Sequence, residues 1–154
     1  NKAVADFFIA DFLGCKLREE PQVTTKKFFQ ITIDFINSAT LSDIERIETH
    51  THLISELTNN ISITNALDFA RKCLPPTQLQ NYMSILDDNH IPTTFPKNII
   101  LILDRIRKIR YEFESGIKII GTEDKIKEKL TLSALDDGTT KAELVDRIKK
   151  VESK

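Results

Sequence analysis

Tryptophan is absent from this sequence, and aromatic residues make up 7% of it; 4 glycines, 5 prolines and 2 cysteines are spread over 154 residues. Each scarcity excludes something. So few glycines form no GxGxxG turn, no P-loop and no GxSxG elbow, so the common phosphate cradles and the hydrolase nucleophile are missing. Cys15 and Cys73 are far apart and make no CxxC pair, which reads as two free thiols in a reducing compartment rather than a disulfide or a zinc site. No apolar run approaches the length needed to span a bilayer. Neither sign of charge dominates: 22 Lys and Arg balance 23 Asp and Glu, for a formal charge of −1. Proteins that coat nucleic acid with their whole surface are usually basic overall, so that class is disfavoured.

What is present suits a globular chain. Apolar residues are 40% and charged residues 29%, which is not a disordered composition. A domain of this size buries roughly two thirds of its unfolded surface and needs no metal or disulfide to hold it together. The expectation is one domain, 1–154, with a helical part over 1–96 and a helix plus a small sheet over 97–154. The chain opens on Asn1 rather than methionine, which reads as the C-terminal part of a longer protein. Charge is unevenly placed: residues 1–96 carry −4 and residues 97–154 carry +3. A polyanion site, if there is one, belongs in the last third.

Along the chain, AVADFFIADFL (3–13) reads as a buried helix closed by Gly14. TTKKFFQITIDFINS reads as an amphipathic helix with Phe28, Thr32, Phe35 and Ile36 on one face and Thr24 or Thr25 as N-cap. Ser42 with Glu45 forms a capping box for a helix lined by Ile44, Ile47, Ile54 and Leu57 and ended by Asn59 and Asn60. Thr64 is the expected cap of a shorter helix facing inward with Ala66, Phe69, Ala70 and Leu74. Pro75-Pro76 stops it and opens the next, lined by Leu79, Tyr82, Met83 and Leu86. Asp87 to Pro96 reads as a loop, and Asn98 to Lys108 as a helix with Ile99, Ile102, Leu103 and Ile106 inward. The period then falls to two over Tyr111, Phe113, Ile117 and Ile119, a strand with a bend at Gly116. TEDKIKEK is one or two helical turns, and LTLSAL is a second strand before the turn Asp136-Asp137-Gly138. TTKAELV reads two ways: as the return strand of a hairpin, or as a helix capped by Thr140 with Leu144, Ile148 and Val151 at helical spacing. The second reading would make GTTKAELVDRIKK part of a small SAP-like DNA-binding element.

Catalytic chemistry is thin. His50 and His52 point about 200° apart on a helix and cannot share one ion; His50, between Ile47 and Ile54, reads as a half-buried structural residue. The loop around His90 lacks the alternating acidic pattern of a calcium site. Neither cysteine has a histidine near it in sequence, and the carboxylates sit at caps or solvent-facing positions. No enzyme activity, metal, cofactor or small-molecule substrate is expected.

The remaining feature is RIRKIRYEFESG (105–116). Arg105 and Lys108 fall on one side of the expected helix, and Arg107, Arg110 and Lys118 extend a cationic strip that Lys97 begins. Guanidinium groups bond phosphate oxygens bidentately, which suits a nucleic-acid backbone. Interleaved glutamates favour the alternative, a solvated face whose charges pair with one another.

Five segments in order, DFLGCKLREEPQVTTKKFF, ISELTNNISITNALDFARKCL, IPTTFPKN, RIRKIRYEFESGIKIIG and LDDGTT, resemble the C-terminal part of the bacterial nucleoid-associated (NdpA-like) family. Asn65 departs from the family pattern, which has a proline there. The resemblance implies a cytoplasmic, nucleoid-located protein that binds DNA, with no enzymatic reaction known for the family; contacts dominated by phosphates would carry little sequence preference. It also favours the hairpin over the helix at TTKAELV. It supplies no proven site, so Lys97, Arg105, Arg107, Lys108, Arg110 and Lys118 are candidates for DNA contact by chemistry alone. The combined expectation is an α+β, helix-rich fold of about six helices with a small antiparallel sheet in the C-terminal third. The rival function is a protein–protein or homodimerisation module, suggested by the apolar stretches VADFFIADFL and IILIL (99–103).

Overall fold

The computed structural model describes residues 19–153. The stretch 3–13, with Gly14 and Cys15, lies outside the described residues. The fold is α+β and helix-rich, with six helices among the described residues. Its strands form three separate antiparallel pairs rather than one small sheet.

Helix α1 runs over Pro21–Ser38 and starts at the proline, one turn before Thr24 and Thr25. Proline has no N–H to leave unbonded at the first helical position, and its fixed φ suits the helix. The two threonines are therefore buried in the first turn instead of capping it, and Thr25 Oγ1 accepts the Asn98 N–H at 3.0 Å. Phe28, Phe29, Thr32, Phe35 and Ile36 are the buried stripe below them.

Helix α2, Asp43–Thr58, opens on the expected capping box: Glu45 N–H donates to Ser42 Oγ, and Ser42 N–H donates to the Glu45 carboxylate at 2.8 Å. Its buried face is Thr49, Leu53, Ile54 and Leu57, rotated from the expected stripe; Ile44 and Ile47 are only partly covered. Thr49 enters the core because its hydroxyl donates to Glu45 C=O at 2.7 Å, so its polar atom is satisfied within the helix.

The expected cap at Thr64 is displaced by one residue. Thr64 sits fully buried in strand β1, Ile63–Asn65, opposite Phe95 of strand β2, Thr94–Pro96. Asn65 is the N-cap of helix α3, Ala66–Cys73: its Oδ1 accepts from the N–H groups of both Leu67 and Asp68 at 3.1 Å. The stretch read as a loop therefore contains β2, whose pairing with β1 reaches across two helices. Helix α4, Pro76–Asp88, opens on proline as expected and buries Tyr82 and Leu86.

These helices enclose an aromatic core. The Phe28 ring lies 5.8 Å from Phe69 and 5.3 Å from Phe95, and Phe35 lies 4.9 Å from Tyr82. Tyr82 is fully buried, and its hydroxyl is bonded to Thr32 Oγ1 at 2.7 Å. That burial pushes the phenol well above its usual pKa.

The expected helix over 98–108 is cut to one turn, α5, Leu103–Ile106. Asn98 Oδ1 accepts the Ile100 N–H at 3.1 Å, an Asx turn that competes with helix initiation. Lys108 already belongs to strand β3, Lys108–Glu112. The single bent strand expected next is a hairpin: β3 returns as β4, Lys118–Thr122, with Gly116 at φ +86° in the connection. Helix α6, Glu123–Lys129, follows, then strands β5, Leu130–Ala134, and β6, Thr140–Leu144. TTKAELV thus forms the hairpin and not the helix of an SAP-like element. A second, small apolar cluster of Ile109, Ile126 and Leu130 joins β3, α6 and β5.

Replacing Tyr82 with Phe removes the bond to Thr32 from a dry site. We expect a loss of about 1 kcal/mol in urea unfolding, against about 3–5 kcal/mol for Phe28→Ala.

Candidate nucleic-acid interface

Alternation places the charges of the β3–β4 hairpin. Ile109, Tyr111 and Ile119 turn toward Ile126 and Leu130, so their sequence neighbours turn outward. Gly121 belongs to the inner side, where a Cβ would meet Ile126 Cδ1 at 3.1 Å. The outer face carries Lys108 opposite Thr122, Arg110 opposite Ile120, and Glu112 opposite Lys118. Glu112 lies between two cations: Arg110 contacts one carboxylate oxygen at 2.5 Å and Lys118 the other at 3.4 Å. The bond from Arg110, then that from Lys118, holds the Glu112 carboxyl below the usual carboxylate range.

The six candidate cations do not form one strip. Lys97 is architectural: its Nζ donates to Glu56 C=O at 2.8 Å, Asn59 C=O at 3.0 Å and Asn59 Oδ1 at 2.6 Å. Those are acceptors at the C-terminal end of α2, where a cation also meets the negative end of the helix dipole. Partial burial lowers the Lys97 pKa while Glu56 opposes the shift. Arg105 folds back on α1, with its guanidinium carbon 4.8 Å from the Phe29 ring centroid and Nη1 donating to Gln30 Oε1 at 2.5 Å. Arg107 borders an open cleft of about 520 Å³ beside Glu123 and Asp124. Lys108, Arg110 and Lys118 are the candidates that the structure brings together. Nothing in the local sequence announces the fates of Lys97 and Arg105, because the hydrogen-bond partners of their side chains lie 38 to 75 residues away in the chain.

Cys73 and His50 have structural settings. Cys73 is half-buried, and desolvation pushes its thiol up to about 11, the opposite of an activated thiolate. His50 is held below its ordinary pKa by burial, partly offset by the Glu123 charge. Among the described residues no group of three or more His, Cys, Asp or Glu side chains is placed to hold a metal ion. No helix among them is long and apolar enough to cross a membrane. Compared with models of protein families, with curated proteins and with solved structures, the chain matches none.

Two outcomes follow from this geometry. Lys97→Met should lower stability by about 1–2 kcal/mol, read by thermal or urea unfolding, because three acceptors lose their donor. His50 binds fewer protons folded than unfolded, so stability should fall as pH drops from the ordinary histidine value of 6.5 down through the lower folded value. His50→Gln should remove that part of the pH dependence; an unchanged profile would place the effect elsewhere.

Proposed function

We propose that this chain is a nucleoid-associated, cytoplasmic bacterial domain that contacts duplex DNA through phosphates, without sequence preference and without catalysis. The observation that supports it is the outward face of the β3–β4 hairpin. Lys108, Arg110 and Lys118 share that face with a single carboxylate, Glu112, leaving a surplus of two positive charges on the paired strands. Arg110 offers a planar fork to a phosphate, and the two lysines supply point charges beside it. The five segments resembling nucleoid-associated proteins supply the biological setting.

Glu112 sets the strength. A phosphate has to displace a carboxylate that already holds two of the three cations, so affinity belongs in the weak, non-specific range, with Kd roughly 10⁻⁴ to 10⁻⁶ M at physiological salt. Releasing about three counterions should weaken binding on the order of fiftyfold between about 50 and 200 mM salt. The triple variant Lys108→Glu, Arg110→Glu, Lys118→Glu should lose DNA retardation at low salt with its circular dichroism unchanged. Glu112→Gln, which removes the competitor, should bind several-fold tighter. A wild-type chain that retards no duplex at low salt would sink the reading.

A second reading, a self-association module, is favoured by a separate observation. Leu144, Val145, Ile148 and Val151 are 59%, 68%, 84% and 83% exposed. Four large aliphatic side chains left in water at one end of the chain suit a covered surface better than a free one.

A further inference from the structure

The β5–β6 hairpin ends in an edge whose chemistry matches itself. Leu135 N–H donates to Thr139 C=O at 2.8 Å, and Val145 N–H donates to Lys129 C=O at 3.0 Å. In an antiparallel ladder bonded pairs alternate with unbonded ones. The odd-numbered residues of β6 therefore turn their backbone groups toward β5, while Thr140, Ala142 and Leu144 turn theirs to the outside. Among the described residues no strand pairs with that outer edge. β6 carries neither a proline nor a bulge to blunt it.

We propose that β6 pairs antiparallel with β6 of a second copy of this chain, with the two-fold axis at Ala142, joining two hairpins into a continuous four-stranded sheet. This rests on the self-association reading and is independent of DNA contact. Symmetry limits the choices. Two copies related by a two-fold axis pair in a register centred on one residue, and the centres that pair three or more residues of each β6 are Lys141, Ala142 and Glu143. Centring on Lys141 sets Lys141 against Lys141, and centring on Glu143 sets Glu143 against Glu143. Like charges directly opposite destabilise a ladder. Centring on Ala142 sets each Lys141 opposite the other copy's Glu143, twice over.

The backbone agrees with that register. Thr140 then faces Leu144 of the second copy, and Ala142 faces Ala142. These are the residues whose N–H and C=O groups point outward, so each such pair exchanges two bonds. Lys141 and Glu143 fall in the unbonded pairs, where opposing side chains approach most closely. Within one chain the two already form an ion pair at 3.0 Å on the polar face. In the dimer they join a ring of four alternating charges. Ala142 on the axis keeps the crossing free of bulk.

The test uses the 154-residue chain and sedimentation equilibrium over a concentration series. The wild type should form a dimer that saturates at two copies. Lys141→Glu and Glu143→Lys should each raise the dimer Kd roughly tenfold or more, by turning two attractions into repulsions. The double variant, Lys141→Glu with Glu143→Lys, should restore the wild-type value, an outcome that registers centred on Lys141 or Glu143 do not give. Ala142→Pro removes an outward N–H and leaves the ladder to β5 intact; it should abolish the dimer while nuclear Overhauser contacts between β5 and β6 persist. A wild type that stays monomeric at the highest concentrations overturns both this surface and the self-association reading. A dimer indifferent to the charge variants and to proline, or one not restored by the double exchange, overturns this surface alone.

Discussion

Two adjacent residues clasp the C-terminal third to the helical core. Lys97 donates its backbone N–H to Ser62 C=O at 2.8 Å and its ammonium to three acceptors at the end of α2. Asn98 donates its N–H to the buried hydroxyl of Thr25 in α1. One short segment thus ties the first two helices to the β1–β2 pair and points the chain toward α5 and the β3–β4 hairpin. An ammonium group gives up part of its hydration to do this. The arrangement holds because three oxygen acceptors replace the lost water and the negative end of α2 faces the charge.

The clasp also determines what is left for the surface. In sequence, Lys97, Arg105, Arg107, Lys108, Arg110 and Lys118 form a loose procession of positive charge. In space the first stabilises a helix end, and the second lies over Phe29 with its fork on Gln30. Arg110 and Lys118 share the one carboxylate on their face. Charges are not interchangeable once folded, because a cation bound to part-buried carbonyls and one bound to an exposed carboxylate differ in how readily a phosphate can recruit them. The β3–β4 face keeps its cations recruitable, since both partners of each ion pair there remain in solvent.

Legibility followed the range of the interactions. The capping box at Ser42, the proline start of α4, the turn at Asp136 to Gly138 and the inward stripe of α1 were all readable, because each is closed within about four residues. The cap at Asn65 was misplaced onto Thr64, since both side chains can cap and only the pairing of Thr64 with Phe95 decides between them. β2 was invisible for the same reason: three residues read as a strand only when β1, about thirty positions earlier, supplies the ladder. The helix expected over 98–108 failed because its apolar spacing fits equally a turn followed by one helical turn. The Asx turn at Asn98 and the early start of β3 take up the rest.

The sequence by itself determined the class of fold, the four helical segments between residues 21 and 88, and the two-residue alternation over 111–119, because periodicity and capping are local physics. It also determined that the positive charge gathers late in the chain, since charge placement is written residue by residue. Tertiary structure alone decided that the strands are three separate pairs, that Lys97 and Arg105 serve the architecture, and that Lys108, Arg110 and Lys118 share a face. Those outcomes depend on partners 38 or more residues away, or on the register of a hairpin. Only the folded chain brings such partners within hydrogen-bonding distance.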